Sequence, residues 1–315
     1  MIEFKFLFAR WFPIHGIKSL DAIILTHHHM DAAAGLDDVR GFQRKIWIPD
    51  TKQKEEIASN QEGNPNPGRY VGQSIPLYMS DFCYLNLQRQ FPWLLPNKSG
   101  PSIMPQQAKG RPEVKRHVAS FDVTLFKDYE EETLLGAEGD GGKNGILGSG
   151  FKMVPLPVWH GDDLISHGFA FSLDPEPSTS SRPLNVVYLS DISRMVPKTL
   201  EYIQNELPPT DVLIIDSLLW EKPHPVHFSM EQAVDLARTL KPRMGTYLIG
   251  MSCDNFLPHD QMNAYLAKTY GKGGDDCKKT GGPIIMAHDG LIIDLPEDKK
   301  DRKGKESYWS LAKWF

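Results

Sequence analysis

Cysteine is scarce in this chain of 315 residues: Cys83, Cys253 and Cys277 are the whole set, far apart and odd in number. That argues against a disulfide framework and fits a reducing compartment, so a cytoplasmic location is expected. A basic surplus is lacking too. With 35 Lys and Arg against 40 Asp and Glu, and a formal net charge of −5, the sequence offers no electrostatic footprint for nucleic acid. No run of about 18 apolar residues occurs, so no membrane span is indicated. The opening MIEFKFLFARWFPIHG has neither the long apolar stretch nor the small-residue cleavage site of a secretory leader, and none is expected. What is present is ordinary: 40% hydrophobic and 24% charged residues, in a chain long enough to bury a sizeable core.

Apolar runs rich in β-branched residues predict strands over 21–25 and 45–49, with helices over 32–39 and over 51–59, the latter capped by Thr51. From about 61 to 150 the pattern degrades into turn signals such as NPNPG and GDGGKNG, and the acidic run 128–132 reads as a solvated loop face. Order returns at 151. Strands are expected over 152–157, 168–173, 185–189, 211–215, 245–249, 283–286 and 291–295. Helices are expected over 197–206, with Pro197 in the first turn, and over 260–270. The strongest helix signal is 229–240: Ser229 is placed to cap, Gln232 follows three residues later, and Met230, Ala233, Val234, Ala237 and Leu240 share one face. Alternating strands and helices indicate an α/β arrangement without repeats. His27, His160, Asp191 and Asp216 each stand just past the end of an apolar strand, where sites in α/β sheets collect.

The segment LTHHHMDA concentrates metal-ligand chemistry. His27 and His29 are two residues apart, so in extended backbone they project to one side and His28 to the other. Asp31 adds a hard oxygen donor. Neutral imidazole suits Zn²⁺ or Fe²⁺, and carboxylate widens the choice toward Mn²⁺.

THHHMDA resembles the His-x-His-x-Asp-His signature of the metallo-β-lactamase superfamily. His160 in LPVWHGD resembles its third histidine, Asp191 in VVYLSDIS its metal-bridging aspartate, and DSLLW with HPVHFSMEQAVDLA a segment of its phosphodiesterase branch. More narrowly, RWFPIHGIKSLDAIILTHHHMDAAAGLDDVRGF is similar to the branch around phosphoribosyl cyclic phosphodiesterase. The resemblance implies an αββα sandwich over 1–315, with a poorly matched, loop-rich insertion at about 61–150. It implies that His27, His29 and His160 bind one metal, that Asp191 bridges, and that Asp31 serves a second. The superfamily's late histidine corresponds best to His259, with Cys253 as a thiolate alternative or as a small residue after a strand.

Two departures stand out. Ala32 follows Asp31 where most of the superfamily has histidine, which favours one firmly held metal over two. The segment seen at 4–16 normally follows several strands, so the domain is expected to lack its N-terminal strands.

The chemistry implied is hydrolysis by metal-activated hydroxide, with Zn²⁺ preferred over Mn²⁺ or Fe²⁺ and a small-molecule phosphate ester as partner. A homodimer is left open. His227, oriented by Asp216, is the candidate general acid, against a packing role at the helix start. His224 reads as structural, His288 as a turn residue over one that lines the site, and Asp37, Asp38 and Arg40 as a helix-end charge cluster in preference to a substrate-binding group. Asp162 and Asp163 are placed to hydrogen-bond the ligand loop, and His15 and His167 have no role. Thioester or lactam hydrolysis by the same fold, and a catalytically weak or inactive metal-binding remnant, are the alternatives.

Overall fold

The computed structural model describes residues 12–43, 45–49, 68–95, 118–134, 151–173, 182–271, 274 and 276–293. The chain divides into two compact units, Met1–Phe126 with Leu135–Gly148, and Lys127–Leu134 with Ser149–Phe315.

In the first unit, β1 (Ile23–Ile24), β4 (Ile75–Met79) and β5 (Phe121–Leu125) form a parallel sheet in the order β1-β4-β5. β2 (Lys45–Pro49) and β3 (Gly68–Gly72) make a separate antiparallel pair. Ile75, Leu77 and Met79 of IPLYM, two apart along β4, join Ile23, Leu25, Leu36 and Val39 in a core, and Tyr78 is buried as well. Helix α1 (Met30–Ala33) passes into a 3-10 helix, Ala34–Phe42. A continuous helix was expected over 32–39; Gly35, Asp37, Asp38 and β-branched Val39 are weak α-formers, and the tighter helix takes over. Helix α2 (Asp81–Gln90) starts at Ser80, whose side chain accepts from the Cys83 N–H. Cys83 and Leu87 then face the core.

Of these, β3, β4, α2 and β5 fall inside the stretch 61–150, whose sequence reads as loops. Pro76 explains part of that reading, because proline argues against a central strand. Here Ile75 N–H bonds Ser120 O on the β5 side, and Tyr78 O accepts from Leu25 N–H on the β1 side. Pro76 therefore faces the β1 side, where the ladder starts only at Leu77, and its missing N–H costs nothing.

The second unit is built on an eight-stranded sheet. Its strands are β6 (Glu132–Leu134), β7 (Phe151–His160), β8 (Leu164–Leu173), β9 (Leu184–Leu189), β10 (Arg194–Met195), β11 (Val212–Asp216), β12 (Gly245–Ile249) and β13 (Ile284–Met286). The order is β10-β7-β8-β9-β11-β12-β13, with β6 also on β7. Pro155 and Pro157 lie between the β6 partners, which end at Met153, and the β10 partners, which begin at Val158. Helices α3 (Pro197–Asn205), α4 (Met230–Leu240), α5 (His259–Tyr270) and α6 (Cys277–Thr280) complete the unit. Helix α4 has the expected capping box: Ser229 accepts from Gln232 N–H, and Gln232 Oε1 accepts from Ser229 N–H. Its apolar face meets Leu213, Ile215, Leu248 and Met262 in the core.

The helix expected over 51–59 lies outside the described residues. Residues 291–293 of the expected strand 291–295 are not a strand, and the other two lie outside. Among the described residues no helix is long and apolar enough to cross a membrane.

Candidate metal centre

β7 and β9 are each antiparallel to β8, and β9 is parallel to β11. The three therefore run one way, and their C-terminal ends carry His160, Asp191 and Asp216 along one edge of the sheet. A helix start adds His227, two residues before the Ser229 cap. His160 Nδ1–H donates to Val226 O at 2.8 Å, which leaves Nε2 as the lone-pair nitrogen. The turn behind His160 is Gly161 at φ 82°, and a Cβ there would meet Val226 Cγ1 at 3.2 Å. His227 Nδ1–H donates to Asp216 Oδ2 at 2.6 Å, and Ile192 N–H reaches the same oxygen at 3.3 Å.

Asp216 is 3% exposed. Burial raises its carboxyl above the usual range; the hydrogen bond and charge of His227 pull the other way, and the Asp191 charge adds to the rise. Gly250, at φ 76°, gives this carboxylate its room, since a Cβ there would lie 2.9 Å from Oδ1. One donor atom each from His160, Asp191 and His227 lies within 4.8 Å of the others. Two imidazoles and one carboxylate at that spacing fit a first-row divalent metal.

In the first unit, His27 is buried, with Nδ1 2.9 Å from Thr26 Oγ1. The His27 and His29 rings meet edge-on at 4.6 Å, with ring nitrogens within 4.8 Å of each other. The His28 ring meets that of His29 edge-on at 5.1 Å and that of Phe82 at 5.4 Å. Burial lowers its pKa, and the neighbouring His29 lowers it further. His29 is the N-cap of α1 and Asp31 stands in that helix's first turn.

No family model matches this sequence, and no curated protein does. Solved structures do. A new diphosphatase from the PhnP family is 24% identical, with 90% of this chain and 75% of that one covered at a TM-score of 0.52. The metallo-β-lactamase fold protein YhfI from Bacillus subtilis is 15% identical over 90% and 81%, at 0.47. Zn²⁺-bound PqqB from Methylobacterium extorquens is 13% identical over 87% and 73%, also at 0.47. The chain has the metallo-β-lactamase fold.

The remaining residues singled out in the sequence fall elsewhere on that fold. His259 opens α5; its Nε2–H donates to Ala287 O at 3.2 Å and its Nδ1 accepts from Asn263 at 3.4 Å. It is not part of the His160, Asp191 and His227 cluster, and Cys253 is exposed outside it. His224 Nδ1 accepts from Val226 N–H at 3.4 Å, with its ring 5.4 Å from that of His227. His288 packs on His259 at 5.6 Å. Asp162 reaches Arg194 at 3.8 Å. His167, assigned no role from sequence, is buried and ties Asp128 to β8 at 2.9 Å. Sequence reasoning passed over the two serines that bracket Asp191 in SDIS. Ser190 Oγ–H donates to Asp191 Oδ2 at 2.7 Å, and Ser193 Oγ accepts from Gly161 N–H at 3.0 Å. Two hydroxyls flanking a strand-end carboxylate were the available signal.

Proposed function

We propose that this chain is a metal-dependent hydrolase acting on a small phosphate ester, a phosphodiester in the first instance. The observation that carries the reading is the convergence of His160, Asp191 and His227 at one sheet edge, with buried Asp216 behind His227. His160 and Asp191 supply ligands there, and the superfamily signature assigns His27, His29 and Asp31 to the same chemistry. Zn²⁺ is the preferred ion for a set dominated by neutral imidazole, with Mn²⁺ and Fe²⁺ next. A divalent metal so held polarises a phosphoryl oxygen and lowers the pKa of a coordinated water toward about 7.

The protein's own part is positional. Val226 O fixes the His160 tautomer, so that Nε2 faces outward as a ligand. Asp216 holds His227 Nδ1–H, so that in the imidazolium form of the ring Nε2–H is the group able to pass a proton to a leaving alkoxide. The choice of a phosphate ester follows the resemblance to the phosphodiesterase branch, and the similar PhnP-family structure bears the name diphosphatase.

Metal analysis of the purified chain, coupled to hydrolysis of bis(p-nitrophenyl) phosphate, tests this. Bound metal and turnover are expected in the native chain, with both reduced in His29→Ala and His160→Ala. Folded protein free of metal overturns the reading. Metal with cleavage of a thioester or lactam, and none of the phosphodiester, moves the substrate class.

A further inference from the structure

The loop carrying Asp191 is held on both flanks. Before it, Leu189 of β9 is in register with Ile215 of β11. After it, Ile192 N–H donates to Asp216 Oδ2 at 3.3 Å and Ser193 N–H to Trp159 O at 2.7 Å. Asp191 itself sits at φ 52°, a left-handed conformation that Asp adopts more readily than most residues with a Cβ. With the backbone so constrained, the two side-chain torsions decide where the carboxylate oxygens lie. Oδ2 takes the Ser190 hydroxyl at 2.7 Å, while Oδ1 lies 4.0 Å from His227 Nδ1. An ionised carboxylate only accepts, so the serine donates. Charge-assisted bonds of this kind are the stronger class.

We propose that Ser190 is a positioning residue for the metal-binding carboxylate: its hydroxyl holds Asp191 Oδ2 and so turns Oδ1 toward His160 and His227. This rests on the metal-binding reading above. Ser190 acts through a ligand, so its effect is on metal affinity before it is on turnover. Without it, Asp191 must lose side-chain freedom at the moment of binding, and the cost appears as a weaker site.

The test uses the full chain stripped by chelator and then titrated with Zn²⁺ against a chromophoric competitor. The native chain is compared with Ser190→Thr and Ser190→Val, two variants of one shape that differ by the hydroxyl. Metal-free melting temperatures are taken on the same samples. Ser190→Val is expected to bind Zn²⁺ about tenfold more weakly than Ser190→Thr, with the metal-free melting temperatures of the two matching. Ser190→Thr is expected to keep most of the native affinity. Equal affinity in the two variants overturns the proposal, because the hydroxyl is then irrelevant. A native chain that takes up no Zn²⁺ overturns the underlying metal reading instead, and that result is distinct from equal affinity between variants.

Discussion

The shortest contact in the candidate centre joins His227 Nδ1 to Asp216 Oδ2 at 2.6 Å, between a ring that is 20% exposed and a carboxylate that is 4% exposed. Burial alone pushes this carboxyl toward its neutral form, and the histidine opposes that rise. The two groups are thus coupled: His227 opposes the rise that burial causes, and Asp216 sets the His227 tautomer. Ile192 N–H, on the same oxygen, ties the pair to the loop that carries Asp191. A change in one partner reaches the others through a single atom.

Asp216→Asn tests the pair as catalytic machinery. The amide keeps the shape and loses the charge. Turnover of a phosphodiester is expected to fall by about 10²–10³, within the range for a lost general acid, while bound metal stays at the native level. His227→Asn is expected to do the same. Loss of metal in His227→Asn would place His227 among the ligands, a role the 4.8 Å spacing of the cluster also allows.

What was legible in the sequence was set by short-range chemistry. An apolar run followed at once by histidine or aspartate marks a strand end, and His160, Asp191 and Asp216 were readable on that rule. The capping box of α4 was readable because its bonds span three residues. What escaped depends on partners distant in the chain or on local bonds that no periodic pattern marks. Pro76 argues against a central strand until one sees that its nitrogen faces the stretch beside β4 that β1 does not reach. The run at Leu291 looks like a strand, yet residues 291–293 take no strand pairing and Ile292 is 65% exposed. Ser190 and Ser193 carry no periodicity, so their bonds to Asp191 and Gly161 could not be read from pattern.

Asp211 makes a prediction about acid stability. It is buried at the opposite end of β11 from Asp216, accepts from Arg182 Nη1 at 2.9 Å and Nη2 at 2.7 Å and from Asn185 N–H at 2.9 Å, and pairs with Arg243 at 2.8 Å. Burial raises its pKa, but the Arg182 bonds, the Asn185 N–H and the two arginine charges outweigh it, and the net shift is downward. A depressed folded-state pKa means that the stabilisation is complete above the ordinary carboxyl range and is lost as pH falls through the lower folded value. Asp211→Asn is expected to cost about 2–3 kcal/mol near neutral pH, with the half-exposed arginines able to rehydrate. Urea titrations from pH 7 to pH 3 should show a smaller acid-induced loss than in the native chain. Parallel pH dependence in the two chains would contradict the assignment.

Ser229→Ala should destabilise by about 1 kcal/mol. It removes the acceptor for Gln232 N–H, at 3.4 Å, and breaks up the reciprocal box. The denaturation midpoint should fall with an unchanged slope, because the surface exposed on unfolding is the same. An unaltered midpoint would mean that the start of α4 is held by its packing instead.

Metal addition offers a thermodynamic check that needs no substrate. A ligand that binds only the folded chain stabilises it by about 2.7 kcal/mol at a hundred times its dissociation constant. Zn²⁺ added to chelator-treated protein is therefore expected to raise the melting temperature by several degrees, with Mn²⁺ and Fe²⁺ doing so less. His160→Ala and Asp191→Ala should melt without such a rise. Mg²⁺ is the informative control, because it prefers oxygen ligands and an octahedral shell, whereas the ligand set proposed for this centre is mostly imidazole. A Mg²⁺ effect as large as that of Zn²⁺ would be incompatible with binding at these histidines. It would point instead to carboxylates elsewhere on the chain.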